Sequence, residues 1–182
     1  MAFSLLADLE VSSILDLTPE WFQNNGIRLM LLDFDNTVVA YTVSDPSPEF
    51  LRWLEKLRET GVDVMIVSNS RKSRRVPDFC EKWGIPYVKR AGKPSIRGIR
   101  SAMAQFDAGP EETALAGDQI FTDILGSNRA GITSILVRPI LFSNPFQVVR
   151  FGIEQPFIRL ARRKRSRNME RSTCNYDDHT VK

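Results

Sequence analysis

Between residues 27 and 137, short apolar runs of strand length alternate with amphipathic stretches at helical spacing, the trace that successive β-α-β units leave in a sequence. The first run is Ile27 to Phe34. Pro48 to Thr60 then places Phe50, Leu51, Trp53, Leu54 and Leu57 on one side of a predicted helix and Glu55, Lys56, Arg58 and Glu59 on the other, so its aromatic and leucine positions read as core. Gly61 ends that helix, and Val62 to Val67 is apolar except at Asp63, the character of a strand covered on both faces. A helix around Ser73 to Trp83, a short strand at Tyr87 and Val88, a helix from Pro94 to Phe106 and a strand from Thr113 to Ala116 follow. A helix from Ile120 to Ala130, closed by Gly131, leads into a last strand from Thr133 to Val137. The expected architecture is α/β: a parallel central sheet with helices on both faces. From Pro139 to Leu160, apolar residues such as Phe142, Phe146, Val148, Val149 and Phe151 are interrupted by prolines, and the pattern defines no element. Residues 1–138 are thus expected to form the domain, with an N-terminal lead-in, and residues 139–182 an aromatic-rich and basic extension, at a membrane surface or partly disordered.

Composition narrows this only at the ends. A chain of 182 residues, 42% hydrophobic and 26% charged, is ordinary for one soluble domain. Cys80 and Cys174 lie far apart, neither in a CxxC pair, and His179 is the single histidine, so neither a disulfide framework nor a zinc site is expected. A reduced, cytoplasmic setting follows. Asp8 and Glu10 fall inside the apolar N-terminal stretch, which lacks a basic leader, so no secretory signal is expected; no run is long enough to span a bilayer. The net charge is +3, yet seven basic residues, Arg159, Arg162, Arg163, Lys164, Arg165, Arg167 and Arg171, gather against Glu170 alone. The basic character belongs to this tail, and the rest of the chain is mildly acidic.

Ligands of open parallel sheets gather at the carboxyl ends of the strands. There the first strand delivers Asp33-Phe34-Asp35-Asn36-Thr37, the second Ser68-Asn69-Ser70, and the strand at Thr113 delivers Gly117-Asp118 with Thr122-Asp123 just beyond; Lys93-Pro94 opens a helix between them. Singly, each has an ordinary structural explanation as a cap, a turn or a solvated charge. Together they bring carboxylates, a hydroxyl, an amide and one ammonium to one edge. A phosphoryl group carries negative charge that must be neutralised while an oxygen nucleophile attacks in line. An aspartate alone would be repelled, and magnesium held by hard oxygen ligands removes that repulsion.

The motifs DFDNT, SNS, the lysine of GKP and GDQIFTD, spanning about Ile27 to about Val137, resemble those of the haloacid dehalogenase (HAD) superfamily of phosphohydrolases. The resemblance implies a three-layer Rossmann-like fold. It implies Asp33 as the nucleophile that forms an aspartyl-phosphate, and Asp35 as the general acid and base that protonates the leaving oxygen and then activates water. Mg2+ would be held by Asp33, the backbone carbonyl of Asp35 and Asp118, with Asp123 at the metal or one layer out. Ser68, Asn69 and Lys93 would bind the phosphate. Asp35 separates phosphatases of this superfamily from dehalogenases and some mutases.

Members of the superfamily usually carry a cap domain, inserted after the first motif or between the second and third. Here Asp35 is followed almost at once by the Pro48 helix, and one helix and one strand separate Ser68 from Lys93, which places the resemblance in the capless subfamily IIIA. A site without a lid suits a phosphate presented on something large. The lead-in SILDLTPEWFQNNGIRLMLLDFDNT and the GKPS motif resemble the phosphatidylglycerophosphate phosphatase group, which implies hydrolysis of phosphatidylglycerophosphate to phosphatidylglycerol.

The basic cluster behind an aromatic stretch suits an anionic membrane surface, each cation contributing on the order of 1 kcal/mol; a solvated tail is the competing reading. The expected partners are a phospholipid phosphate and that surface, with the protein peripheral at the inner face of a membrane. Arg71, Lys72, Arg74, Arg75, Lys89 and Arg90 border the site, either receiving a second, non-reacting phosphate or forming the polar faces of helices. Two alternatives stay open: a phosphatase for a soluble phosphomonoester or a nucleic-acid end, and a non-catalytic interaction module. Nucleic acid is not favoured, because Arg159 to Met169 holds no aromatic to stack on a base. Intact Asp33, Asp35, Lys93 and Asp118 oppose the non-catalytic reading.

Overall fold

The computed structural model describes residues 4–70, 74–141 and 152–160. Among these, six apolar runs pair in parallel: β1 (Leu9–Val11), β2 (Leu29–Leu32), β3 (Asp63–Ser68), β4 (Tyr87–Lys89), β5 (Thr113–Gly117) and β6 (Thr133–Val137). Their order across the sheet is β1-β6-β5-β2-β3-β4. Five α-helices accompany them: α1 (Pro19–Asn24), α2 (Pro48–Glu59), α3 (Arg75–Trp83), α4 (Arg97–Gln105) and α5 (Leu125–Ala130). Only residues 33–47 lie between β2 and α2, and 69–74 between β3 and α3, so neither cap position carries a domain. The three-layer, capless α/β expectation is met.

The sheet sorts its side chains by the two-residue alternation of extended chain. Met30, Leu32, Val64, Ile66, Ala114 and Ala116 pack with Phe50, Trp53, Leu54 and Leu57 of α2 and Val76, Phe79 and Cys80 of α3. Leu29, Leu31, Met65, Val67 and Leu115 pack on the other face with Ile99, Ala102 and Met103 of α4. Leu29 to Leu32 are all 0% exposed, which is why β2 shows no polar alternation in the sequence. Cys80 lies in this core, where burial, with a smaller contribution from Glu81, pushes its thiol up to about 12 and leaves it unreactive.

Register sets the site. Leu32 of β2 stands opposite Ile66 of β3 and Ala116 of β5. The residues that follow therefore leave the sheet at one level: Asp33, Val67-Ser68 and Gly117-Asp118.

Three elements depart from the sequence reading. α4 starts at Arg97 rather than Pro94, because both main-chain polar groups of Lys93 are bound by the Asn69 side chain and cannot enter a helix ladder. The predicted helix from Ile120 begins as a π-helical turn, Ile120–Ile124, before α5. The lead-in folds: β1 pairs with β6, and Asp8 Oδ2 accepts from Ser134 N at 2.9 Å and Ser134 Oγ at 2.7 Å. α1 then follows Thr18, whose side chain accepts from Trp21 N, with Pro19 in its first turn.

Residues Met1–Ser143 and Asn144–Lys182 form separate compact units. In the second, residues 152–160 are helical. Phe142, Phe146, Val148, Val149, Phe151 and the basic run from Arg162 lie outside the described residues, as do Arg71, Lys72 and Ser73. No helix among the described residues is long and apolar enough to cross a membrane.

The Trp53 indole of α2 donates to the carbonyl of Leu17 at 2.8 Å in the core, tying α2 to the lead-in. Trp53→Phe leaves that carbonyl buried without its partner and is expected to cost about 2–3 kcal/mol, read as a lower midpoint in urea unfolding. An unchanged midpoint would show that water replaces the indole.

Candidate active site

The chain must turn sharply once it leaves β2, and Asn36 does this at φ 64°, in the left-handed region that asparagine tolerates better than most residues. Asn36 N donates to Val39 O at 2.8 Å and Asn36 O accepts from Ile140 N at 3.1 Å, so the loop folds back on itself. Asp33, Asn36 and Thr37 are all buried by this turn. Thr37 Oγ1 and Asp33 Oδ2 have no hydrogen-bond partner there.

Lys93 reaches the same point from the turn before α4. Its ammonium is buried and lies 2.7 Å from Asp33 Oδ1 and 2.7 Å from Asp123 Oδ1. Burial alone would lower its pKa, but the Asp123 and Asp33 charges outweigh that, and the net shift is upward: the group stays an ammonium. For Asp123 burial prevails, aided by the Asp33 charge and opposed by Lys93, and its carboxyl lies above the ordinary range.

Asp118 and Asp123 enter from β5 and the π-helical turn. Asp33, Asp118 and Asp123 each offer a carboxylate oxygen, and these oxygens lie within 4.8 Å of one another. Three buried carboxylates exceed what one ammonium neutralises. The donors are hard oxygens, and Asp33 Oδ2 is unengaged. A divalent cation such as magnesium fits both the charge and the donor set.

Ser68 is buried at the end of β3, its hydroxyl accepting from Ser70 N at 3.0 Å. The Asn69 amide donates to Lys93 O at 2.8 Å, and its oxygen accepts from Lys93 N at 2.9 Å. Asn69 thus braces the lysine that reaches Asp33. The structure therefore gathers Asp33, Lys93, Asp118 and Asp123 in one cluster, with Ser68 and Asn69 at the end of the neighbouring strand.

Asp35 points to a different neighbour. Its carboxylate pairs with the Arg75 guanidinium, at the start of α3. Arg75 also donates to Ala40 O and Val43 O, both at 2.8 Å, and its guanidinium lies 4.7 Å from the centroid of the Phe34 ring. In the sequence Arg75 is one of four neighbouring basic residues, and nothing in that run marks it out. Gly117 carried no mark either beyond its place before Asp118. A Cβ there would lie 2.3 Å from the carboxylate carbon of Asp123 and 2.6 Å from its Cβ, so only glycine lets the Asp123 side chain close over β5.

Gly117→Ala is therefore expected to displace Asp123 and weaken divalent-cation binding about 10–100-fold, measured by titration calorimetry. An unaltered affinity would remove Asp123 from the cation site.

A family profile described as HAD-hydrolase-like matches residues 90–139. The probable phosphatase YqeG of Bacillus subtilis is 35% identical over 161 residues, which cover 87% of this chain and 92% of that protein. The mitochondrial phosphatidylglycerophosphatase GEP4 of Saccharomyces cerevisiae is 27% identical over 129 residues, 63% of this chain and 69% of its own. Among solved structures, the cobalt-bound deoxy-D-mannose-octulosonate 8-phosphate phosphatase YrbI of Haemophilus influenzae superposes with a TM-score of 0.52 at 16% identity, covering 68% of this chain and 74% of that one, a likeness of fold. A relative as similar and as fully spanned as the Bacillus protein, on this fold, makes the chain a member of the HAD superfamily, among its phosphatases.

Proposed function

We propose that the chain is a magnesium-dependent phosphomonoesterase whose substrate is phosphatidylglycerophosphate, acting as a peripheral protein at an anionic membrane surface. The observation that carries the chemistry is Asp33: buried, held at Oδ1 by Lys93 and unengaged at Oδ2. Similarity to a phosphatidylglycerophosphatase and the absence of a cap at either insertion point support the lipid substrate.

Asp33, Asp118 and Asp123, with the carbonyl of Asp35, would hold the metal. When bound, magnesium supplies positive charge against which phosphoryl oxygens are fixed. Asp33 attacks phosphorus, forming an O–P bond as the bond to the glycerol oxygen breaks. Asp35 enters the cycle as the carboxylic acid and gives its proton to that oxygen, then as the carboxylate takes one from the water that cleaves the aspartyl-phosphate, releasing inorganic phosphate and restoring the Asp33 carboxylate and the Asp35 acid. Lys93 and Ser68 hold the transferring oxygens, and Asn69 keeps Lys93 in place. Arg75 acts as a positioning residue, orienting Asp35 without touching the phosphate.

The test is phosphate release by purified protein with magnesium, comparing phosphatidylglycerophosphate in vesicles with sugar phosphates, nucleotides and phosphorylated oligonucleotides. The lipid is expected to be preferred, and Asp33→Asn or chelation of the metal to abolish release. Preference for a soluble or oligonucleotide phosphate would refute the substrate, and release that survives Asp33→Asn would refute the mechanism.

Arg75→Met frees the Asp35 carboxylate and is expected to lower kcat about 10–100-fold for alkyl phosphates, whose leaving oxygen needs a proton, and far less for aryl phosphates. Equal losses on both would mean that Arg75 only supports the fold.

A further inference from the structure

Six basic residues border the site in the sequence, and the fold sorts them. Arg75 is engaged by Asp35 and the carbonyls of Ala40 and Val43, and Arg74 lies 3.5 Å from Asp78 on α3. Arg71 and Lys72 lie outside the described residues. Lys89 and Arg90 remain. Both are exposed, and neither has an ion pair or a side-chain hydrogen bond among the described residues.

Register places these two cations beside Ser68. Lys89, the last residue of β4, stands opposite Ser68, the last residue of β3. The partners before them share faces: Ile66 and Tyr87 pack in one core layer, Val67 and Val88 in the other. By the same alternation the Lys89 side chain leaves the sheet on the Ser68 side. Ala91 N donates to Ser68 O at 2.9 Å, which ties the following turn to the end of β3. That turn sends the Lys93 ammonium inward to Asp33 and leaves Lys89 and Arg90 at the surface. β4 is two strands from β2, so Lys89 stands roughly 10 Å from the Asp33 backbone.

Arg90 carries a second mark. Its backbone lies in the left-handed region, at φ 52°, which a Cβ disfavours and glycine adopts freely. Gly92, in the same turn, has φ 72°. At position 90 the chain instead holds a long cation without an internal partner. Backbone strain of this kind collects at binding sites.

We propose that Lys89 and Arg90 form a second anion subsite, which takes a non-reacting phosphate of the substrate. The proposal rests on the lipid reading above, in which that group is the diester joining the headgroup glycerol to diacylglycerol. Monoester and diester lie at the two ends of one glycerol. With the monoester at Asp33, the glycerol reaches outward and the two long side chains reach back, so both phosphates are held at once. Ammonium and guanidinium both bind phosphate oxygens, the guanidinium through paired N–H donors. The contact selects a substrate with two phosphates where no cap encloses it.

The test compares wild type with Lys89→Gln combined with Arg90→Gly on three substrates: dihexanoyl phosphatidylglycerophosphate as monomers, long-chain phosphatidylglycerophosphate in phosphatidylcholine vesicles, and glycerol 3-phosphate, which has no second phosphate. The kcat/KM is expected to fall about tenfold or more further on both lipids than on glycerol 3-phosphate. Arg90→Gly alone is expected to unfold at no lower urea concentration than wild type, because glycine relieves the backbone. With a wild type that prefers the lipids, equal losses on all three substrates, or none, overturn the subsite alone. A loss confined to vesicles assigns the two cations to the membrane surface and also overturns it. A wild type with no preference for either lipid over glycerol 3-phosphate overturns the lipid reading and this inference with it.

Discussion

The structure turns on one ammonium buried between two carboxylates. Lys93 lies 2.7 Å from both Asp33 and Asp123, and each of the three would be costly alone in a protein interior. Their mutual attraction explains much of the surrounding architecture. Asn69 clamps the Lys93 backbone, Gly117 leaves room for the Asp123 side chain, and the π-helical turn aims that side chain back over β5. Each arrangement costs something locally: a helix that starts late, a glycine inside a strand, a widened helical turn. They are understandable only as supports for charges that the fold would otherwise exclude.

Those departures from regular structure fall where the sequence was hardest to read. The alternation of apolar runs and amphipathic stretches disclosed the sheet, its parallel sense and the helices on both faces, because burial on each face of β2 and β3 imposes unbroken hydrophobic runs. The start of α4 was misplaced because the signal, a proline opening a helix, is overruled by hydrogen bonds to Asn69, a residue 24 positions earlier. β1 is only three residues long and half-buried, too short to show any period, and its anchor to Ser134 is 126 positions away. α1 was not foreseen, although it begins with Thr18-Pro19-Glu20, a cap, a proline and an acid in the first turn.

The candidate site was legible for a different reason. Asp33, Ser68 and Asp118 stand where strands end and Lys93 in the turn before α4, and their chemistry is shared between residues rather than hidden in one. What sequence could not disclose is partnership. Arg75 sits among several basic neighbours, and only the fold shows it grasping Asp35 and the carbonyls of Ala40 and Val43 at once.

The amino-terminal strand carries one more consequence. β1 is translated first, but the strand it joins, β6, ends at Val137. On a ribosome the lead-in must therefore wait, unpaired, while every other strand of the sheet is made, and closing so long a loop is entropically slow. The sheet gains that edge only after β2 to β6 have emerged, so of the six strands the one synthesised earliest is the one placed last.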